Sequence, residues 1–444
     1  MKREFKDLFK TKTVVIISVI MFLLPLAAIA YAQDKPVEKK LLANGMTVLL
    51  QESTDEPASV CLFVKAGPAI EANENHGITR LLNSVLLSID PLGNSNPPTM
   101  RIEQAGAIIS AETSAEYSCF KLVVPSKNLP AALKALGDVF NGRSITEASV
   151  SREKEAIASH RLRAEDRFDE RVVRSYLKNT MEGSSYLFIT EGDTGTVSGL
   201  DARQLNAWYK ANYQPGNMAL SVCGKLNSAS VFKLAETSFN ATGADKPSAG
   251  RLTTVPAACA GRLEVDSPAG CSAVLLGYEA PPAGSQDYAA VAVAESLLAC
   301  GMGSSMFRKL RDDFVSAYGF GSWMPVTSGP SRLAIYAVAE EGGGEPVRAM
   351  LKSCMDELKT GAFSSDDLGR AKSVVLGRAS SERESNLGKA WTAGVYDIMG
   401  LGQEYGANFD KQVGKLGKDE IAKVSVRYFD KCYEVVSKPK NNLY

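Results

Sequence analysis

The sequence has 444 residues, 45% of them hydrophobic and 23% charged, which is the composition of a globular protein long enough for two ordinary domains. Fifty basic residues balance fifty acidic ones, so charge gives no reason to expect nucleic acid as a partner. Only two histidines are present, His76 and His160, and this scarcity argues against a histidine-based metal or acid–base site.

Residues 1–32 are predicted to be a targeting segment. A basic start leads into the apolar run VVIISVIMFLLPLAAIA, which closes on AYA before Gln33. This is the layout of a secretory signal peptide with an A-x-A cleavage site. Because the run is long for a signal, an uncleaved membrane anchor is the alternative. We expect cleavage, which would leave a periplasmic chain without a membrane span.

The segments that follow alternate between strand and helix patterns. Apolar runs bounded by turn residues predict strands in MTVLLQE, SVCLFVKA, YSCFKLVVP and NMALSVCG. Helical periodicity predicts helices over residues 77–89, in AALKALGDVFNG, and in one long stretch from about Glu147 to Lys178.

The second half of the chain repeats the pattern of the first. Residues 58–69 match 271–282, residues 145–157 match 363–375, and residues 200–213 match 416–429. The similar spacing of the three pairs indicates a duplication. We therefore predict an α+β fold of two homologous α/β sandwich domains, each a mostly antiparallel sheet covered by helices. The predicted boundaries are an N-terminal domain over 38–240, a linker over 241–261 and a C-terminal domain over 262–440.

Eight cysteines are present and none forms a C-x-x-C pair, which argues against zinc-ribbon and thioredoxin-like chemistry. Cys61, Cys119 and Cys223 lie in apolar strand-like runs and are predicted to be buried free thiols. Cys259 and Cys271 flank a possible strand, and they are the pair we would test first for a disulfide.

The helix predicted over residues 77–89 carries Arg80, Asn83 and Ser84 on its polar face. These positions, i, i+3 and i+4, are where a helix could present two metal ligands and a general base to one point. However, arginine has no lone pair to donate, asparagine cannot take a proton from water, and serine is a weak zinc ligand. From the residues alone, we expect an ordinary solvated helix face here.

The order and spacing of several segments resemble those of the insulinase/pitrilysin-type zinc peptidases, in the branch of mitochondrial processing peptidase and its bacterial relatives. The resemblance covers nearly the whole chain after residue 32 and rests on these segments: LANGMTVLLQE (42–52), VKAGPAIEANENHGITRLLNSVLL (64–87), RIEQAGAIISAETSAEYSCFKLVVP (101–125), SREKEAI (151–157), LNAWYKANYQPGNMALSVCG (205–224) and GSSMFRKLRDDFVSAYGFGS (303–322).

The resemblance implies a zinc motif, H-x-x-E-H, that this chain has lost. The motif's positions fall on Arg80, Asn83 and Ser84, the third ligand position falls on His160, and Glu153 matches a supporting glutamate. One candidate ligand does not make a metal site, so we expect no metal in this chain and zinc on a partner subunit. For His76, we expect an ordinary residue at the helix start.

Two further features carry roles that the resemblance implies. In the family, an arginine and a tyrosine at the spacing of Arg311 and Tyr318 grip the substrate backbone and stabilise the oxyanion. Without the family, a surface ion pair and a core tyrosine would be the simpler interpretation. Ser110, Ala111 and Thr113 match an edge strand to which a peptide substrate can add, with serine in place of the family's asparagine.

The leading hypothesis is a non-catalytic, substrate-binding subunit of a periplasmic heterodimeric zinc metalloendopeptidase. It would be inactive alone and would supply Arg311 and Tyr318 to a zinc site on a homologous partner, with peptides as substrates. The alternative is a stand-alone pseudoprotease that acts as a peptide-binding or scaffold protein of the cell envelope. The third possibility is a hydrolase with a site rebuilt around His160 and a cysteine.

Overall fold

The computed structural model describes residues 35–88, 97–141, 145–165, 168–182, 184, 186, 194–239, 256, 259–267, 270–312 and 317–439. The predicted signal segment 1–32 and most of the predicted linker lie outside these residues, so the domain boundaries remain predictions. Within the described residues, no helix is both long and apolar enough to cross a membrane.

A six-stranded sheet forms the centre of the first half, in the spatial order β1-β2-β6-β3-β5-β4. Only β2 and β6 pair in parallel, and the other neighbours are antiparallel. The four strands predicted from the sequence are β2, β3, β5 and β6. The strands are β1 (Glu38–Leu41), β2 (Thr47–Glu52), β3 (Ala58–Val64), β4 (Ile108–Thr113), β5 (Ser118–Val124) and β6 (Met218–Gly224).

Helices cover one face of this sheet. The first helix buries the apolar stripe that its sequence predicts, including Leu81, Leu82 and Val85. The long helix predicted from Glu147 to Lys178 is instead two helices, α4 and α5. The helices of this half are α1 (Ile78–Leu87), α2 (Pro98–Gln104), α3 (Leu129–Phe140), α4 (Glu147–Glu165), α5 (Phe168–Thr180), α6 (Thr194–Gly199), α7 (Ala202–Asn212) and α8 (Ser228–Ser238).

The second half has a five-stranded sheet in the order β7-β11-β8-β10-β9. Here too one pair is parallel, β7 with β11, so the topology repeats that of the first sheet without β1. The elements are β7 (Gly261–Ser267), β8 (Cys271–Ala280), α9 (Tyr288–Ala299), α10 (Ser305–Phe307), β9 (Ala317–Trp323), β10 (Ser331–Glu340), α11 (Gly344–Thr360), α12 (Ser365–Glu382), α13 (Asn386–Ile398), α14 (Tyr405–Lys415), α15 (Lys418–Tyr428) and β11 (Tyr433–Pro439). The predicted α+β fold of two homologous sandwich domains is confirmed.

Each half covers the open face of the other half's sheet with one helix. Helix α13 packs on β3 and β6, and helix α5 packs on β8 and β11. In both places the helix approaches the sheet closely, because an aromatic ring packs directly against a glycine. A Cβ on Gly277 of β8 would lie 2.2 Å from the Tyr176 ring, and one on Gly394 of α13 would lie 2.1 Å from the Phe63 ring. Rings fitted this tightly hold the two halves together.

The disulfide considered for Cys259 and Cys271 is not formed, and all eight cysteines are free. Strand β7 pairs in parallel with β11, and Gly261 is opposite Tyr433 at the start of β11. Strand β8 runs antiparallel to β11, so Cys271 lies near the other end of that strand. The two thiols are therefore at opposite ends of the sheet, beyond the reach of a disulfide. Cys61, Cys119 and Cys223 are buried free thiols, as predicted.

The glycine contacts give a direct test of how the halves are joined. Gly277→Ala and Gly394→Ala should each lower the free energy of unfolding by about 1–3 kcal/mol, because the added methyl group overlaps an aromatic ring. The matched control is Gly377→Ala in α12, where an added Cβ meets nothing within 4 Å. It should instead stabilise the helix by about 0.5–1 kcal/mol. Urea unfolding measures all three, and equal effects at the three positions would contradict the tight fit.

Candidate functional site

The degenerate motif lies on a helix whose start is fixed by a buried carboxylate. The Glu71 oxygens accept hydrogen bonds from the backbone N–H groups of Gly77, at 2.8 Å, and Thr79, at 2.9 Å. Gly77 has a φ of 92°, which favours glycine. His76 Nδ1 lies 3.0 Å from Glu71 Oε2, and both residues are buried. His76 is thus part of the helix start, as expected from the sequence, and Glu71 is a residue that sequence reasoning missed.

Asn83, the residue that the sequence resemblance matches to the motif's glutamate, is only 2% exposed. Its Nδ2 donates to Thr113 Oγ1 at 2.8 Å and to Ser118 Oγ at 2.7 Å. Its Oδ1 accepts the Tyr213 hydroxyl at 2.5 Å, and Ser118 in turn donates to the Ala66 carbonyl. The expectation of a solvated helix face was therefore wrong for Asn83, because three side chains from distant segments enclose its amide.

This network is a structural one. The Asn83 amide uses both of its amide hydrogens and its oxygen within the protein, and it cannot accept a proton from water. Burial also raises the pKa of Tyr213, so its hydroxyl stays protonated and remains a donor. A general base is therefore absent from this position.

The other motif positions do not complete a metal site. Arg80 and Ser84 are partly buried on α1, and among the described side chains no three metal-ligand groups converge. His160 belongs to α4, but its side chain lies outside the described part of the structure. Burial raises the pKa of Glu153 on the same helix. A guanidinium, an amide and a hydroxyl do not fit zinc, whose protein ligands are thiolate, imidazole and carboxylate.

The segment matched to the substrate strand is β4, which is the outermost strand of the first sheet as far as it is described. Ser110 and Ala111 are exposed on it, and Ile108 is 78% exposed. Thr113 is buried beneath the strand end, where it belongs to the Asn83 network. One edge of β4 pairs with β5, and the other edge is where a peptide strand could add.

Arg311 lies just after a short helix of the second half that contacts the strand of Tyr318. Arg311 is exposed on a π-helical turn, Arg308–Asp312, that directly follows α10. Tyr318 lies on β9, the outermost strand of the second sheet in the described region, and is 71% exposed. The ring of Phe307 at the end of α10 packs against the ring of Phe320 on β9, at 6.1 Å between centroids. This contact links the turn that bears Arg311 to the strand that bears Tyr318.

Tyr318 sits at a β-bulge. In the register with β10, Ala317 is opposite Ala339 and Gly319 is opposite Val338, which leaves Tyr318 as the extra residue. A bulge turns a side chain away from the regular alternation of the strand. The interpretation of Tyr318 as a core tyrosine is therefore wrong, because its ring faces solvent.

The edge hairpins of the two halves meet at their ends. Glu116, in the turn between β4 and β5, accepts a hydrogen bond from the Ser328 backbone N–H at 2.8 Å, in the connection between β9 and β10. The same carboxylate oxygen accepts the Tyr186 hydroxyl at 2.6 Å. Glu116 and Tyr186 are both buried. No sequence signal pointed to this contact, since the three residues lie in unrelated segments.

The duplicated fold resembles solved peptidase structures. A protease from Helicobacter pylori superposes with a TM-score of 0.85 at 19% identity, over 92% of this chain and all of that one. A peptidase M16 inactive domain from Pseudomonas fluorescens superposes with a TM-score of 0.82 at 19% identity, over 91% of this chain and 98% of the other. The chain therefore has the two-domain fold that these solved structures share.

Sequence comparison gives the family. The model described as "Insulinase (Peptidase family M16)" matches residues 47–189, and "Peptidase M16 inactive domain" matches residues 199–375. The chain belongs to this insulinase family, which confirms the resemblance found in the sequence. The matches fit a non-catalytic, peptidase-like chain.

Its relatives are distant. The uncharacterized zinc protease YmxG of Bacillus subtilis is 21% identical over 88% of this chain and 94% of its own length. The beta subunit of the mitochondrial-processing peptidase of Dictyostelium discoideum is 24% identical over 45% of this chain. The match spans only 43% of that subunit's length.

The Asn83 network predicts a large effect from a small substitution. Asn83→Ala should lower the free energy of unfolding by about 2–4 kcal/mol, because it leaves buried hydroxyl groups without partners and opens a cavity. Ser84→Ala, at the next position of the same motif, should change it by less than about 0.5 kcal/mol. Chemical denaturation compares the two, and similar small effects would mean that Asn83 is not enclosed as described.

A second prediction concerns pH and the turn that carries Arg311. Arg308 of this turn donates to Asp367 at 2.7 Å, and together with the Ser364 hydrogen bonds it lowers the pKa of Asp367 to about 2. Because the folded state favours the ionised form of Asp367, this carboxylate adds stability at pH values above the pKa of an unfolded aspartate, about 4. The added stability is lost as the pH falls towards 2, the pKa of Asp367 in the folded state.

Asp367→Asn should therefore reduce the unfolding free energy by about 1–2 kcal/mol near neutral pH. The difference from the wild type should shrink below about pH 4, where the unfolded carboxylate becomes protonated. Asp366→Asn removes the same charge from the exposed neighbouring position and serves as the control. Urea titrations at a series of pH values measure both variants, and a pH-independent difference for Asp367→Asn would argue against the ion pair.

Proposed function

We propose that this chain is the non-catalytic, substrate-binding subunit of a heterodimeric zinc metalloendopeptidase, with the zinc and the general base on a homologous partner chain. The observation that carries the proposal is the Asn83 network. It replaces the base position with an enclosed amide, while Arg311 and Tyr318 remain exposed in the second half. We place the working complex in the periplasm, after removal of the signal peptide.

The chemistry of the exposed pair supports a role in peptide hydrolysis. A guanidinium offers several fixed hydrogen-bond donors and a positive charge, and a phenol offers one donor. Both suit a peptide carbonyl that becomes an oxyanion when water attacks it. The contact between Phe307 and Phe320 supports their joint action, because it joins the helix just before the Arg311 turn to the strand that bears Tyr318.

The edge strands support a role in binding extended peptides. Strands β4 and β9 are both outermost in the described sheets, and Glu116 joins the ends of their hairpins. A peptide that adds to an edge gains main-chain hydrogen bonds largely independent of its sequence. A partner that brings its zinc helix to this side would then cleave a peptide that this chain holds.

The test begins with the native assembly. The full chain is purified with an affinity tag from the envelope of its own cells, and the mass and zinc content of the complex are measured. We expect a second, zinc-bearing chain, and cleavage of a fluorogenic peptide by the complex but not by this chain alone. A monomer or homodimer that binds peptide without a zinc-bearing chain would instead favour the stand-alone pseudoprotease. Hydrolysis by this chain alone, abolished by chelators, would overturn the proposal.

The same complex tests the two side chains. Arg311→Ala and Tyr318→Phe should each reduce kcat/KM by about 10–1,000-fold, since each removes a donor to the developing oxyanion. Arg427→Ala and Tyr428→Phe remove the same groups from the end of α15 and should leave turnover unchanged. Unaltered kinetics in both Arg311→Ala and Tyr318→Phe would refute the assigned roles even if the zinc-bearing partner is found.

A further inference from the structure

The helix α9 is the counterpart of α1 in the duplicated fold, and it too is joined to the edge strand of its sheet by a polar side-chain contact. In the first half, Asn83 of α1 donates to Thr113 of β4. In the second half, Ser322 of β9 donates to Glu295 Oε1 of α9 at 2.7 Å. Helix and edge strand are therefore clamped in both halves, but with a carboxylate in the second.

The second contact has a different setting from the first. Glu295 is partly buried on α9, and this burial raises the pKa of its carboxyl group. The Ser322 hydrogen bond and the Arg378 guanidinium of α12 act in the opposite direction and favour the ionised carboxylate. The buried Cys300 thiol donates to the Glu295 backbone carbonyl. Arg378 is exposed, so the carboxylate faces a cation at the surface and a hydroxyl on the strand.

Strand β9 is an edge strand, and the Ser322 hydrogen bond joins it to the helix beneath. It pairs with β10 on one side, and after Ala317 all of its residues are at least partly exposed. The bulge at Tyr318 further weakens its pairing. Side-chain contacts add to the pairing: Phe320 packs on Phe307, Ser322 donates to Glu295, and Trp323 packs against the apolar cluster around Tyr176. A strand with few buried contacts opens easily, and a hydrogen bond to a charged group limits this opening.

We propose that Glu295 is a positioning residue for peptide binding, which holds β9 against α9 through Ser322 and so fixes the place of Tyr318. The inference rests on the proposed function only for the role of Tyr318 in peptide binding. The contact between Ser322 and Glu295 lies within this chain and does not require a partner. Glu295 acts through the strand and does not touch the peptide.

The first experiment measures the strand directly, in the full chain without any partner. Glu295→Ala should speed hydrogen exchange of the β9 amides by about tenfold or more, while the α9 amides change little. Ser322→Ala should give a similar increase. Glu295→Gln keeps an oxygen that accepts the Ser322 hydroxyl and should restore most of the protection. Glu384→Ala and Ser373→Ala change the same residue types at exposed positions and should leave β9 unaffected.

The second experiment asks whether the clamp serves binding. The probe is fluorescein-labelled, oxidised insulin B chain, an unfolded peptide, followed by anisotropy. Glu295→Ala should raise the Kd about fivefold or more, with rescue by Glu295→Gln. In a chain that already carries Tyr318→Ala, Glu295→Ala should change the Kd little further. Glu295 acts on binding through Tyr318, which is then absent.

The outcomes separate this inference from the proposed function. Unchanged β9 exchange in Glu295→Ala, or additive losses of binding in the double variant, would overturn the positioning role. Faster β9 exchange and weaker binding with rescue by glutamine would support it, even if no zinc-bearing partner is found and the heterodimer proposal fails. A general loss of stability would instead speed exchange throughout the chain and would also count against it.

Discussion

The arrangement of the whole molecule depends on the exchange of one helix between its two halves. A sheet with helices on one face leaves its other face apolar, and that face must be covered. Here α5 covers the second sheet and α13 covers the first, and each contact is closed by an aromatic ring lying on a glycine, Tyr176 on Gly277 and Phe63 on Gly394. Neither sheet can bury both faces without the other half. The edge strands β4 and β9 therefore keep a fixed relation, and Glu116 joins their hairpins.

The same fold can hold a catalytic helix or a purely structural one, and a single position decides much of the difference. A carboxylate at position 83 could accept a proton from water, provided that it is not committed to partners within the protein. The amide of Asn83 donates to two hydroxyls and accepts a third, so every polar atom of its side chain is occupied. With Arg80 one turn earlier, the helix keeps its packing face but offers neither a base nor metal ligands.

The parts of this structure that could be predicted from the sequence are those that local pattern determines. The apolar stripe of α1, four of the six strands of the first sheet and the duplication all follow from periodicity and spacing. The break between α4 and α5 was missed because no Gly or Pro marks it. The reason for it is tertiary, since α5 crosses to the other sheet. Asn83 was misjudged because its partners lie 30, 35 and 130 residues away, and Cys259 and Cys271 were paired without knowledge of the parallel register of β7.

The two halves share a topology but join helix and edge strand with different polar contacts. In the first half the clamp between helix and edge strand is a neutral amide enclosed with hydroxyls. In the second half it is a partly buried carboxylate between a serine and an arginine. A neutral network of this kind does not titrate and is rigid, whereas a carboxylate can gain or lose a proton. The second half is thus the one in which the contact between helix and edge strand contains a titratable group.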